Sequence, residues 1–148
     1  MSKLTSANQV VIAWLGLGRL ACALARYARA ERLLTPEEMV ATHHDTSVAE
    51  RLAREVGIRV DVSNESAAAA AECVVLCVRP HQALAVSMEI SRSMTREKLL
   101  ISFAPRISIR ELRGQVPGCG AIYRALPMHR ALGASASRFF ISPELGTR

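Results

Sequence analysis

Val10-Val11-Ile12-Ala13-Trp14-Leu15-Gly16-Leu17-Gly18-Arg19-Leu20-Ala21 decides how this chain is read. An apolar run turns on two glycines and enters an alanine- and leucine-rich segment that continues to Ala30. That is strand, tight turn, helix, with the spacing G-x-G-x-x-(G/A) of a dinucleotide-binding turn. Gly16 suits the tight turn. Gly18, without a Cβ, lets the backbone approach a pyrophosphate, and Ala21 permits close packing of helix on strand. Leu17, Arg19 and Leu20 complete the candidate turn. The free N–H groups and positive dipole end of the helix face the phosphates. Two glycines alone are a weak signal, so the rest of the chain has to support them.

The 148 residues are 50% hydrophobic, which suits one globular domain, taken as residues 1–148. No apolar run approaches the roughly 20 residues that span a membrane. Lys3, an apolar run and Ala21-Cys22-Ala23 loosely resemble a signal peptide, but Gly16, Gly18 and Arg19 interrupt the run. Cys22, Cys73, Cys77 and Cys119 form no metal spacing. Cys73 and Cys77 fall on one face of an apolar strand and read as small core hydrophobes, so a reduced, cytoplasmic protein is expected. The net charge of +6 comes almost wholly from arginine, since Lys3 and Lys98 are the only lysines. The arginines are scattered and aromatics make up only 4%, so the charge reads as a solvated surface with a preference for anionic cofactors. No stacking platform for nucleic acid is present, and neither nucleic acid nor a membrane is an expected partner.

Strand and helix patterns alternate along the chain. Leu20–Arg32 reads as a first helix, and Thr35-Pro36-Glu37-Glu38 as a capped helical turn or a plain loop. Met39–Thr42 reads as a strand and Val48–Val56 as a helix capped by Thr46 or Ser47 and stopped by Gly57. Ile58–Val62 alternates as a short strand, and an alanine-rich helix then runs from a Ser63 or Asn64 cap to Ala71. Cys73–Val78 is a doubly covered strand, and Pro80 opens a helix to about Arg92. Leu99–Ala104 and Ala121–Leu126 are further strands, with a short helix between them that starts at the capping box Ser108-Ile109-Arg110-Glu111 and closes at Gly114. Residues 137–142 make a seventh strand. This order predicts an α/β fold: a Rossmann-like, doubly wound, mostly parallel sheet with helices on both faces.

The end of the second strand bears on cofactor choice. NAD sites place an acid there for the ribose 2′-OH, whereas NADP sites carry neutral or basic groups. His43 stands there, about 22 residues beyond Ala21. His44, Thr46 and Ser47 follow, with Arg51 further on in the helix. These residues lean toward NADP, with NAD the alternative because Asp45 offers a ribose contact. Equally, His43 and His44 are ordinary loop residues and Asp45 or Thr46 only a cap; the residues leave both readings open. Cys77-Val78-Arg79-Pro80 ends the fourth strand, where doubly wound sheets bind ligands, beside the expected nicotinamide ribose. An ordinary strand end before a proline-started helix reads equally well.

Taken together, these segments resemble the N-terminal domain of the pyrroline-5-carboxylate reductase family, within the NADP-dependent and F420-dependent oxidoreductases. The resemblance covers about residues 10–142. Its carriers occur in family order: Leu15-Gly16-Leu17-Gly18; Leu52 to Gly57 before Ile58; Val78-Arg79-Pro80-His81-Gln82; Leu100-Ile101-Ser102-Phe103-Ala104; and Tyr123-Arg124-Ala125-Leu126-Pro127. The resemblance implies an oxidoreductase that reduces a cyclic imine to proline with NADPH or NADH. The departures are as informative. Arg19-Leu20-Ala21 replaces the family's Asn-Met-Gly, Pro105-Arg106 replaces Ala-Gly, and Met128-His129-Arg130 replaces Asn-Thr-Pro. His129 is a candidate substitute proton donor, without an identified partner. The family's helical C-terminal domain, which forms the dimer and completes the imine pocket, has no counterpart in these residues. Activity is therefore expected to need a partner chain or a second copy. The alternative expectation is a non-catalytic dinucleotide-binding or interaction module.

Overall fold

In the computed structural model, residues 10–127 and 139–143 are described. His129 and the N-terminal part of the signal-like stretch, including Lys3, lie outside them. A seven-stranded sheet forms from β1 (Val10–Leu15), β2 (Met39–Thr42), β3 (Arg59–Val60), β4 (Ala71–Leu76), β5 (Leu99–Ser102), β6 (Ala121–Pro127) and β7 (Phe139–Pro143). The order is β3-β2-β1-β4-β5-β6-β7, with β1 to β6 parallel and β7 antiparallel to β6. The chain builds outward from β1 to β3, then crosses back to β4. The crevice between the carboxyl ends of β1 and β4 is thus the topological switch point, where open α/β sheets bind ligands.

The helices are α1 (Arg19–Ala30), α2 (Thr46–Val56), α3 (Asn64–Ala70), α4 (Pro80–Glu89) and α5 (Ile109–Gln115). Strand alternation divides them between two apolar clusters. Ala13 and Leu15 of β1 face one side, with Ala67 and Ala68 of α3, Ala83 and Val86 of α4 and Leu112 of α5. Trp14 faces the other, with Ala21, Cys22 and Ala25 of α1 and Ala53 and Val56 of α2. Small residues at these helix contacts let the helices lie close on the sheet. Cys73 and Cys77 pack against this second cluster, on one face as expected, and none of the four cysteines is in a disulfide. The doubly wound architecture is the one expected.

Several boundaries differ, each for a local reason. The cap of α2 is Asp45, the choice of the plainer loop reading, and not Thr46 or Ser47; its carboxylate accepts N–H bonds from Ser47 and Val48. The alanine helix ends at Ala70, because Ala71 already pairs with Val10 as the first residue of β4; ladder pairing overrides alanine's helix preference. Helix α5 runs through Gly114 to Gln115, held by its Ser108–Glu111 capping box and the buried Leu112. Strand β3 is cut to Arg59–Val60, since it pairs with β2 alone at the sheet edge. The Thr35–Glu38 capping box is present, on a single 3₁₀ turn.

Candidate functional site

Each wall of the site is a strand end and the turn that follows it. At the end of β1, Gly16 has φ +90, and a Cβ there would lie 2.8 Å from both the Val78 backbone nitrogen and its Cγ1. The glycine is required by the protein's own packing of this turn against the end of β4. The Gly16 and Leu17 N–H groups both donate to the Thr42 carbonyl, at 3.2 and 2.8 Å, which ties the turn to β2. Gly18 differs. Its backbone is extended, and a Cβ would meet nothing within 4 Å. Nothing in the protein demands a glycine at 18, yet the position opens into the cleft. As N-cap of α1, Gly18 has no side chain to cap the first-turn N–H groups. Leu17 and Ala21 are fully buried and anchor the turn from beneath. Leu20 is half-buried and Arg19 exposed; neither lines the cleft.

At the end of β2, Thr42 is 5% exposed and donates its hydroxyl to Asn64 Oδ1 at 2.6 Å. Asn64 in turn donates Nδ2 to Glu89 at 2.8 Å, so β2, α3 and α4 are bridged by one polar chain. The His43 and His44 rings stack, centroids 4.4 Å apart and 23° between planes. His43 Nδ1 accepts the Asp45 N–H at 2.9 Å. Asp45 turns its carboxylate onto α2, accepting the Ser47 hydroxyl at 2.7 Å as well as the two N–H groups. The Ser47 hydroxyl, then the Val48 N–H, hold this carboxyl below its ordinary range. Asp45 is therefore a cap, as the plainer reading of this loop had it. Ser47 is engaged by that cap and does not line the cleft, whereas Thr46 does.

The third wall is the end of β4 and the start of α4. Cys77, Val78 and Arg79 line the cleft, and half-buried Pro80 starts the helix behind them. Burial pushes the Cys77 thiol up to about 12, which makes it an inert lining group rather than a nucleophile.

The cleft so enclosed measures about 740 Å³, within the range of cofactor sites. Of the residues singled out from sequence, it gathers Gly16, Gly18, His43, His44, Thr46, Cys77, Val78 and Arg79. It also gathers Thr42, Val62, Ser63, Asn64, Gln82 and Glu89, which sequence reading did not mark as site residues. Asn64 was marked only as an alternative helix cap; Ser63 takes that role by accepting the Ser66 N–H at 3.0 Å. Among the described residues no group of His, Cys, Asp and Glu is arranged to hold a metal ion, and no helix is long and apolar enough to cross a membrane.

Known proteins resemble this chain in sequence and in fold. The family model described as NADP oxidoreductase, coenzyme F420-dependent, matches residues 11–106. Pyrroline-5-carboxylate reductase 1 of Dictyostelium discoideum is 32% identical over 116 residues, which are 78% of this chain and 21% of that protein. Pyrroline-5-carboxylate reductase of Pisum sativum is 29% identical over 132 residues, covering 88% of this chain and 47% of that protein. Among solved structures, the Plasmodium falciparum pyrroline carboxylate reductase with NADP bound superposes with a TM-score of 0.77 at 20% identity, over 95% of this chain and 50% of that one. The Coxiella burnetii pyrroline-5-carboxylate reductase gives 0.78 at 24% identity, over 91% and 50%. These structures share the fold. The chain spans between about a fifth and a half of the length of these relatives.

Proposed function

The chain belongs to the family of NADP oxidoreductases described as coenzyme F420-dependent, and from that premise we propose that it is the NADP(H)-binding part of a reductase of pyrroline-5-carboxylate reductase type. The observation that carries this reading is the contrast at the turn. Gly16 is required by Val78, whereas Gly18 faces open cleft and is required by nothing inside the protein. A ligand that approaches the backbone at Gly18 supplies the missing reason. The uncapped first turn of α1, with its N–H groups and dipole, suits that ligand being a pyrophosphate.

The remaining walls distribute along the dinucleotide. His43, His44, Thr46, Asn64 and Glu89 surround the adenosine end. Cys77, Val78 and Arg79 flank the nicotinamide ribose, with Pro80 behind them starting the helix that holds them there. NADP is favoured over NAD because Thr42 stands at the end of β2 and the nearby Asp45 carboxylate is turned away onto α2. The bound cofactor supplies a hydride. The chain's own residues position it, and the small-molecule substrate is a cyclic imine. A partner chain or second copy completes the substrate side.

A second reading, a dinucleotide-binding module without catalysis, is favoured by Arg106, which holds φ +65 in the loop after β5 that borders the reacting side. Titration of the pure chain with NADPH and NADH, followed by addition of pyrroline-5-carboxylate, separates the two. Loss of nicotinamide absorbance supports the reductase. Binding without turnover leaves the module, and failure to bind either cofactor sinks both readings.

A further inference from the structure

Glu89 stands where two local rules speak against an acid. It is the last residue of α4, at the negative end of the helix dipole, and no basic residue offsets it in that last turn. It also lines a cleft that receives a polyanionic cofactor in the reading above. A residue that breaks local rules is expected to do something elsewhere in the fold. Glu89 makes one such contact: its Oε2 accepts an N–H from Asn64 Nδ2 at 2.8 Å.

An amide side chain has a donor end and an acceptor end of nearly the same shape, whereas a carboxylate only accepts. Glu89 therefore turns the donor end of Asn64 toward α4 and leaves Oδ1 for β2. There Oδ1 accepts the Thr42 hydroxyl at 2.6 Å. Thr42 is buried, and its carbonyl accepts the Gly16 and Leu17 N–H groups. The contacts run in one line from the end of α4, through the first residue of α3, to the end of β2 and the glycine turn. Helix α3 does not depend on this line for its own place. Ser63 caps it, and Lys98 Nζ holds its other end by donating to the Ala68 and Ala69 carbonyls at 2.7 and 2.9 Å. Ala67 and Ala68 are fully buried against the sheet. What Glu89 adds is the orientation of one side chain.

We infer that Glu89 is a positioning residue for the glycine turn: acting through Asn64 and Thr42, it fixes the end of β2 from which that turn hangs. The expected effect on affinity rests on the NADP(H)-binding reading; the effect on the turn needs no ligand. Two roles for Glu89 carry opposite signs. A bare negative charge beside a polyanion repels it, so every neutral replacement tightens binding. A positioning residue supports binding, so only a replacement that lacks an acceptor weakens it.

The test compares Glu89→Ala with Glu89→Gln in the whole chain, since Gln keeps an acceptor for Asn64 Nδ2. In calorimetric titration with NADPH, the Ala variant is expected to bind about threefold or more weakly, the scale of one hydrogen bond, and the Gln variant at least as tightly as wild type. In an Asn64→Ala background, Glu89→Ala is expected to cause no further loss. In the ligand-free chain, the Gly16 and Leu17 amide proton resonances are expected to move upfield in Glu89→Ala, as their bonds to Thr42 loosen, and to keep their wild-type positions in Glu89→Gln. If both variants tighten NADPH alike and the resonances stay in place, Glu89 acts only as a charge and the inference is overturned. If both weaken binding alike, or neither changes anything, the bond to Asn64 is not what matters and the inference is equally overturned. If the wild-type chain binds neither NADPH nor NADH, the cofactor reading falls, and the ligand-free resonances still decide whether Glu89 positions the turn.

Discussion

Two turns flank the end of β4, and both hold a residue in the left-handed region: Gly16 at φ +90 after β1, and Arg106 at φ +65 after β5. At the first, residue type, backbone and packing agree. Glycine permits the angle, and only glycine clears Val78. At the second, the backbone takes a conformation that its residue disfavours. The family resembled has Ala-Gly where this chain has Pro105-Arg106. The turns on both sides of β4 therefore take a left-handed residue, but only the one after β1 carries the residue type that suits it. The difference separates a turn whose sequence and backbone agree from one whose backbone is strained by its sequence.

The largest expected effect is at Gly16. Gly16→Ala combines left-handed strain with a Cβ overlapping the Val78 backbone, and should cost about 3 kcal/mol in denaturant unfolding. An unshifted unfolding midpoint would remove the packing explanation. Gly18→Val should leave the melting temperature near wild type and weaken NADPH by about thirtyfold or more, about 2 kcal/mol. A variant that binds normally shows that the phosphates lie elsewhere. Arg106→Gly should stabilise the chain by about 1 kcal/mol through release of strain, and Arg106→Ala should not. Equal stability of all three sequences breaks the comparison at its second term.

The smallest effects are those of pH. Hydrogen bonds from the Thr95 hydroxyl hold the Glu97 carboxyl low, and bonds from the Ser108 N–H and hydroxyl do the same for Glu111, as the α2 cap does for Asp45. Because these folded-state values lie below the unfolded ones, their contribution is complete above about pH 4.5 and fades as pH falls through the lowered values. Asp45→Asn, an equally good cap, should flatten part of that acid limb in a melting-temperature profile. The alkaline side has the opposite sign. Burial raises the Cys73 and Cys77 thiols from 9.0 to about 11 and about 12, so stability is full below pH 9.0 and is lost as pH climbs toward those values. Cys77→Val should remove up to about half of that decline; an unchanged alkaline profile would place the cause elsewhere.

The parts of this molecule legible in its sequence are those written locally. Strand β2 matches its expected bounds, and capping boxes form at Thr35–Glu38 and Ser108–Glu111, though not at Ser47–Glu50, where the same spacing yields to the Asp45 cap. The glycine turn and the end of β4 meet because alternating strands and helices prescribe a doubly wound sheet. Less legible was any choice among neighbours of equal local merit. Asp45, Thr46 and Ser47 are all good caps, and only the path of the loop selects Asp45. Gly114 looked like a stop, but burial of Leu112 carried the helix through it. The polar chain of Thr42, Asn64 and Glu89 had no local signature at all. Its members are 22 and 25 residues apart, and the hydrogen bonds exist only once β2, α3 and α4 converge. The direction of β7 is likewise invisible to a period-two pattern, which reads the same for parallel and antiparallel strands.

The Thr42 carbonyl accepts two N–H groups from the glycine turn, and that bond pair has a consequence for timing. A loop held this way is ordered during folding, before any ligand arrives, so little backbone entropy remains to be lost on association. Slow amide hydrogen exchange is then expected at Gly16 and Leu17 in the free protein, at positions where a loop would ordinarily exchange fast. The turn should behave in solution as an extension of the sheet, rigid on the millisecond scale and encountering its ligand already in shape.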